Sequence, residues 1–222
     1  MMKSVVLILL VAVVAGISAN PTPPNTNCCF ADQFELEADD MVGVVDSGKG
    51  VAIGQSLKMA FDYTNKRLGA LVTTSAGTFV YDYRMIIDFN KGVELFIDDK
   101  SKTCQKMPFN STEMVHCIPA KAKLLDTFYM GNNEITANSF AYQYTEGPST
   151  GELTMAVTKT DCIPLSSSFV GETAGTALMV GAGFKNYVAG IKDPATYFTV
   201  PSYCPQTVSS KPGAYYKHLL FQ

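Results

Sequence analysis

Large hydrophobic residues recur at every second position along most of the chain. The pattern is clearest over 57–63, 79–89, 93–97, 140–144 and 153–157. Short runs of Asn, Gly, Pro and charged residues separate these segments. Such alternation is typical of antiparallel strands that bury one face and expose the other. We therefore predict an all-β protein of about ten strands, built from successive hairpins.

The C-terminal third continues this pattern with one exception. Strands are predicted around 163–170 and 175–184, although the many Gly and Ala residues of 174–190 are also compatible with the start of a helix. Asp193-Pro194-Ala195 predicts a short helix, because Asp is a good N-cap and Pro suits the first helical position; Pro201 would end it. No repeat or linker divides the chain, so we expect a single domain over 28–208 and a tail over 209–222.

Hairpins with one apolar face must stack or curl to bury it. Across the Asn90-Lys91-Gly92 turn, the apolar positions of the two flanking strands are expected to share one interior. That interior is either filled by side chains or encloses a cavity for an apolar ligand, and periodicity does not distinguish the two. The candidate cavity residues are Met59, Phe61, Tyr83, Met85, Ile87, Phe89, Leu95 and Ile97.

The N-terminus predicts secretion. Lys3 precedes about a dozen apolar residues and then small ones, which is the pattern of a signal peptide over 1–19, cleaved after Ala19 or alternatively after Gly16. Residues 20–27 form an extended leader with no core residue. No later stretch reaches the 18 apolar residues that a membrane-spanning helix needs, so we expect an extracellular protein with no membrane span.

Six cysteines should be paired in that oxidising compartment. They allow 15 pairings, and adjacent Cys28 and Cys29 can hardly bond to each other. A zinc site with His116 beside Cys117 is the alternative, but no C-x-x-C pair supports it. Asn110 begins the sequon Asn-Ser-Thr and is predicted to be glycosylated. The cysteines are Cys28, Cys29, Cys104, Cys117, Cys162 and Cys204.

Composition excludes several functional classes. Hydrophobic residues make up 47% of the chain and charged residues 17%, which excludes intrinsic disorder. The net charge of −3 offers no basic excess for a nucleic-acid partner. With two histidines, no G-x-S-x-G motif and no phosphate-binding loop, we expect neither an enzyme nor an organic cofactor.

The acidic residues raise the question of calcium. Glu35, Glu37 and Asp39 would lie on one face of an extended strand. They are either ligands for Ca²⁺ or the charges of an edge strand that resists aggregation. The adjacent pairs Asp39-Asp40 and Asp98-Asp99 are expected to face solvent.

Three segments in order resemble the ependymin family, including the ependymin-related proteins of mammals and invertebrates. They are 93–107 (VELFIDDKSKTCQKM), 157–165 (VTKTDCIPL) and 190–204 (GIKDPATYFTVPSYC). The resemblance implies a secreted, often glycosylated protein with two stacked antiparallel sheets in a half-open barrel, similar to bacterial lipoprotein carriers. It also implies an apolar cavity, calcium-sensitive association with extracellular matrix, cell adhesion and homodimers.

The resemblance further implies a disulfide pairing. Cys104 should bond to Cys204, and Cys28 or Cys29 to Cys162. The other of the two adjacent cysteines is then expected to bond to Cys117, because both are absent from the vertebrate pattern.

Two functions follow as expectations. One is a calcium-responsive matrix or adhesion protein, with a mineralised matrix among its settings. The other is a carrier of a lipid or similar apolar ligand.

Overall fold

A computed structural model describes residues 28–46, 49–109, 111, 114–146, 149–173 and 175–209. The predicted signal peptide, leader and Asn110, with the tail beyond Ser209, lie outside the described residues. No helix in the described part of the chain has the length and hydrophobicity to cross a membrane. The strands are β1 (Gln33–Asp46), β2 (Lys49–Asp62), β3 (Arg67–Ala76), β4 (Phe79–Asp88), β5 (Val93–Asp98), β6 (Thr103–Pro108), β7 (Lys123–Met130), β8 (Ile135–Glu146), β9 (Ser149–Thr158), β10 (Pro164–Thr173) and β11 (Thr176–Ala189), followed by helix α1 (Pro194–Phe198).

All eleven strands form one antiparallel sheet in the order β6-β5-β4-β3-β2-β1-β11-β10-β9-β8-β7. The prediction of two stacked sheets is therefore wrong, although the all-β class is confirmed. The reason is that β1 is hydrogen-bonded to β2 along its whole length and to β11 from Phe34 to Val44. The two halves of the chain are thus joined edge to edge. β6 and β7 remain at the two ends, so the sheet is not closed.

The sheet curls around a single core. Side chains from strands on both sides of β1, such as Leu68 of β3 and Phe169 of β10, belong to one hydrophobic cluster. Phe34 of β1 stacks on Phe61 of β2 with 4.6 Å between ring centroids. Because alternate residues of every strand point to the same side, one face of the sheet becomes the interior and the other becomes the outer surface.

The segment 190–209, here called the C-terminal strap, crosses the outer face. Its helix α1 begins as predicted, with the Asp193 carboxylate accepting the N–H groups of Ala195 and Thr196. Helix α1 packs mainly against β3, where Tyr197 lies directly over Gly69. A Cβ at Gly69 would be 2.8 Å from both the Cβ and the carbonyl oxygen of Tyr197, so only glycine permits this approach.

Three disulfides tie distant segments to the sheet. They join Cys28 to Cys162, Cys29 to Cys117 and Cys104 to Cys204, which agrees with the pairing that the family resemblance implies. The sequence separations are 134, 88 and 100 residues. Each bond closes a long loop, and such bonds stabilise folded domains by about 2–5 kcal/mol.

We expect Gly69→Ala to lower the free energy of unfolding by about 1–3 kcal/mol, because the added methyl group must push α1 away from β3. Gly181→Ala is the matched control, since a Cβ at Gly181 in β11 meets nothing within 4 Å. Urea denaturation of both variants measures the difference. Equal stability of the two variants would show that α1 does not pack closely on Gly69.

Candidate functional site

Six of the eight predicted cavity residues line the inner face of the sheet. Met59, Phe61, Tyr83, Met85, Ile87 and Phe89 are only 0–4% exposed. A side chain that lined a cavity wide enough for water would expose part of its surface to that cavity. These six therefore form a packed core, with Tyr83 stacked on Phe96 at 4.3 Å between ring centroids.

The other two predicted cavity residues, Leu95 and Ile97, lie on the opposite face. Leu95 is paired with Ile86 in the β4–β5 ladder, whereas the inward-facing Met85 is paired with Phe96. The prediction that Leu95 and Ile97 share the interior with Met85 is wrong. They pack instead under the C-terminal strap, in a second cluster with Ile86 and Cys204.

The inner face also carries polar groups at its centre. Asp40 of β1 lies opposite Gln55 of β2, which in turn lies opposite Thr74 of β3. The Gln55 amide donates hydrogen bonds to Thr74 Oγ1 at 2.8 Å and to the Tyr83 hydroxyl at 3.3 Å. Glu94 of β5 also points inward. We call Asp40, Gln55, Thr74, Tyr83 and Glu94 the inner polar cluster.

Several atoms of the inner polar cluster have no hydrogen-bond partner among the described residues. They are both carboxylate oxygens of Asp40, Oε1 of Gln55 and Oε1 of Glu94. Asp40 is 6% exposed and Glu94 is 1% exposed. Burying a charged carboxylate without a partner is costly, so the neutral acid is favoured. Burial, helped by the nearby Asp39, raises the pKa of Asp40 to about 8, and burial raises the pKa of Glu94 to about 7.

A cleft of about 680 Å³ lies on the outer face. Its floor is formed by β1, β2, β3 and β4, with Lys185 of β11 on one side and the turn after β5 on the other. Two cross-strand rows of outward-pointing side chains line the floor. The first row contains Lys185, Glu37, Lys58, Leu71 and Arg84, and the second contains Asp39, Ser56, Thr73 and Asp82.

Arg84 joins this cleft to the C-terminal strap. Its guanidinium group donates to the Asp99 carboxylate at 2.5 and 3.2 Å and to the carbonyl oxygens of Thr196 and Thr199. The Tyr203 hydroxyl donates to the same carboxylate at 2.6 Å. The hydrogen bond from Arg84 is the main cause that lowers the pKa of Asp99. These hydrogen bonds fix Asp99, in the turn that forms one side of the cleft, to Arg84 of the sheet.

The three calcium candidates lie on one face of β1, but each already has a hydrogen-bond donor. Glu35 accepts the backbone N–H of Lys192 at 2.6 Å, and Glu37 accepts the Asn186 amide at 2.8 Å. Asp39 accepts the Ser56 hydroxyl at 2.6 Å and an ammonium hydrogen bond from Lys185. Within the described ranges, no group of three or more His, Cys, Asp or Glu side chains is arranged to hold a metal ion.

The alternative interpretation of these acids as an edge strand is wrong. β1 is the central strand of the sheet, with β2 on one side and β11 on the other. The charges of Glu37 and Asp39 therefore do not protect an edge. Hydrogen bonds hold both carboxylates in their charged form: the Asn186 amide is the main cause that lowers the pKa of Glu37, and Lys185 has this effect on the pKa of Asp39.

Two acids that were expected to face solvent are buried. Asp40 is in phase with Ala38 and Val42, and Asp98 is in phase with Phe96. Asp98 accepts the Tyr81 hydroxyl at 2.9 Å and two backbone N–H groups of the following turn. The alternation along each strand already predicts that both acids point inward. Each acid stands beside a second Asp, however, and such a pair suggests an exposed position.

His116 has a structural role beside the Cys29–Cys117 disulfide. Its Nε2 lies 2.7 Å from the carbonyl oxygen of Phe30, and its ring stacks on Tyr63 at 4.2 Å between centroids. Backbone hydrogen bonds from Phe30 to His116 and from Ile118 to Cys28 hold the segment between β6 and β7 against the N-terminal residues.

We expect stability to fall as pH rises from about 4 to 8. The folded protein keeps the proton of Glu94 up to about pH 7 and that of Asp40 up to about pH 8, whereas the unfolded chain, with ordinary carboxyl pKa values, releases both above about pH 4. Asp40→Asn replaces one of these two titrating groups by a neutral amide and so removes its contribution to the pH dependence of stability. We therefore expect its melting temperature to exceed that of the unmodified protein at pH 8 and to match it near pH 4. An unchanged pH dependence in Asp40→Asn would contradict the buried neutral acid.

One protein family and several known proteins match much of this chain in sequence. Residues 78–204 match the ependymin family model. Ependymin-related protein 1 of Haliotis asinina is 32% identical over 130 residues, which cover 54% of this chain and 64% of that protein. Development-specific protein LVN1.2 of Lytechinus variegatus is 31% identical over 166 residues, which cover 68% of this chain and 86% of that protein.

Solved structures show more distant likenesses. An uncharacterized conserved protein from Thermus thermophilus aligns with a TM-score of 0.47 and 9% identity, over 78% of this chain and 87% of its own. A putative outer membrane lipoprotein-sorting protein domain from Vibrio parahaemolyticus aligns with a TM-score of 0.35 and 9% identity, over 72% of this chain and 88% of that domain. The family match over 78–204 includes both cysteines of the Cys104–Cys204 bond and the C-terminal strap as far as Cys204. Together with the ordered motifs, they place this chain in the ependymin family.

Proposed function

We propose that this ependymin-family chain is a secreted, non-enzymatic glycoprotein that binds extracellular matrix components in a calcium-responsive manner and acts in cell adhesion. The observation that carries the proposal is the polar cleft on the outer face, where carboxylates and lysines hold one another in place. Three disulfides are typical of proteins in oxidising compartments and support the extracellular location.

Calcium acts in this proposal by competing with lysines. Glu37 lies 3.5 Å from the Lys58 ammonium group, and Asp39 is paired with Lys185. Both carboxylates lie on the cleft floor, where Glu37 is partly exposed and Asp39 is exposed, and carboxylate oxygens are the ligands that Ca²⁺ prefers. Ca²⁺ that binds Glu37 and Asp39 releases the two ammonium groups for a ligand in the cleft. Millimolar affinity is expected, as in other extracellular modules.

A homodimer is part of the proposal. The edge strand β7 exposes the apolar side chains of Leu124, Leu125, Tyr129 and Met130, and it lies at an open end of the sheet. The other edge strand, β6, is partly covered by the C-terminal strap, because Ser209 N–H donates to the Lys106 carbonyl. An exposed apolar edge favours pairing with another chain. Two copies of the cleft in one particle would also strengthen binding to a repetitive matrix.

We expect millimolar Ca²⁺ to raise the melting temperature of the mature protein, and the double variant Glu37→Gln/Asp39→Asn to abolish that rise. Glu152→Gln is the control, because Glu152 is an exposed acid on β9, outside the cleft. Differential scanning fluorimetry with Ca²⁺ and with a chelator provides the measurement. A rise that persists in the double variant would place the calcium site elsewhere.

A second candidate function is the carriage of an apolar ligand, and the inner polar cluster is the observation that favours it. Buried polar atoms in a folded protein are nearly always hydrogen-bonded. The unpartnered oxygens of Asp40, Gln55 and Glu94 would meet donors on the polar head of a ligand whose chain lies against the apolar inner face. Because that face is packed, the ligand must separate its side chains to enter.

If the protein is a carrier, a fluorescent monoacylglycerol analogue, whose head carries hydroxyl donors, will bind, and Met85→Trp will weaken that binding by filling the space the chain needs. Val170→Trp, at an exposed position on β10, is the control. Met85→Trp also overpacks the core and should cost about 1–3 kcal/mol of stability, so binding is measured below its melting temperature. Absence of probe binding by the unmodified protein would exclude the carrier function.

A further inference from the structure

The outer cleft presents hydrogen-bond donors and acceptors in a fixed alternating arrangement. In its first row, the register places Glu37 between Lys185 and Lys58. In its second row, Asp39 lies opposite Ser56 and Thr73 lies opposite Asp82. The second row is therefore bounded by a carboxylate at each end, with two hydroxyl groups between them.

These side chains are held in place before any ligand arrives. Ser56 Oγ donates to Asp39 at 2.6 Å, and Thr73 Oγ1 donates to Asp82 at 2.7 Å. Both acids, and the hydroxyls that bind them, project from paired strands inside the sheet rather than from loops. Polar groups that are already oriented lose little conformational entropy on binding.

Charges of both signs are interspersed in the cleft, so it presents no continuous patch for a long polyanion or polycation. Lys58, Lys100, Lys185 and Arg84 are interspersed with Glu37, Asp39, Asp82 and Asp99. An anionic ligand long enough to fill the cleft would meet the four carboxylates, and a cationic ligand would meet the four basic groups. A hydroxyl group both donates and accepts hydrogen bonds, so it can pair with either kind of neighbour.

Two separate apolar side chains, one on each side of the second row, complete the surface. Leu71 lies half-buried in the first row, and Val80 of β4 is 62% exposed beside the second row. A sugar ring presents hydroxyl groups at its edge and C–H groups on its faces, so a chain of such rings matches a surface with polar rows and separate apolar side chains. The volume of about 680 Å³ is within the range of about 300–1,000 Å³ that is typical of ligand-binding clefts.

We propose that the outer cleft is a binding site for a neutral glycan chain, with Asp82 accepting sugar hydroxyls and Lys58 and Lys185 donating to them. This inference rests on the proposed matrix-binding function and names the class of matrix component that the chain recognises. The C-terminal strap contributes through its contacts with Arg84, which together with Asp99 forms the wall at the strap side.

The test is a titration of isotope-labelled mature protein with neutral hexasaccharides of glucose, mannose and N-acetylglucosamine, followed by amide chemical shifts. A sulfated heparin hexasaccharide and a cationic chitosan hexamer are the charged comparisons. We expect at least one neutral hexasaccharide to shift amides of β1–β4 at the cleft, with an affinity that changes little between low and high salt.

Thr73→Val is the decisive variant, because it removes one hydroxyl and leaves Asp82 without its cross-strand donor. We expect it to weaken neutral-glycan binding about 5-fold, the range of one hydrogen bond. Thr127→Val is the matched control, since Thr127 also donates to a cross-strand neighbour, Asn138, at 2.9 Å but lies on β7 outside the cleft. It should bind as the unmodified protein does.

Several results would overturn the inference: no shift with any neutral hexasaccharide, equal binding by Thr73→Val, or binding of the charged hexasaccharides only. Failure of the matrix function is a separate outcome, measured by calcium-dependent retention of the same proteins on an extracellular-matrix preparation. Retention that survives in Thr73→Val would leave the matrix function in place and remove the cleft as its site. Glycan binding by a protein that the matrix preparation does not retain would support the cleft as a glycan site and contradict the matrix-binding function.

Discussion

The two hydrogen-bonded ladders that flank β1 determine the architecture of this protein. β2 occupies one edge of β1 and β11 the other, so the strands that come first and last along the described chain are neighbours at the centre of the sheet. Because both halves are continuous with the same strand, their inner faces must converge on a single core. The opposite face is left available to the C-terminal strap and the cleft. The separation of a dry interior from a polar outer surface thus follows from one pairing.

The period-two pattern was sufficient to predict the strands but not their neighbours. Strand alternation assigned Tyr83, Met85 and Ile87 correctly to one face. It failed for Leu95 and Ile97, because every residue of β5 is buried and the face that carries the acids Glu94 and Asp98 is the one that points inward. The facing of β5 depends on the hairpin register, which pairs Asp88 with Val93, and a shift of one residue reverses both faces.

Pairing between strands that are far apart in the sequence could not be predicted either, because local patterns do not record it. The position of β1 at the centre of the sheet depends on its pairing with β11, and no pattern within either strand records that contact. The helix was easier, because Asp193 and Pro194 carry the capping signal locally. The outer cleft arises only when four strands lie side by side, so none of its rows is visible as a motif in the chain.

The central place of β1 has a consequence for the order of events during synthesis. β1 emerges first among the strands, and its pairing with β2 can form at once, but its second edge must wait for β11, the last strand to leave the ribosome. Until then the middle of the sheet has an open edge, which is the kind of surface that misassembles. The disulfides that use Cys162 and Cys204 must also wait for the C-terminal part of the chain. The nascent chain therefore keeps an unpaired strand edge at the centre of its sheet for almost the whole of its translation.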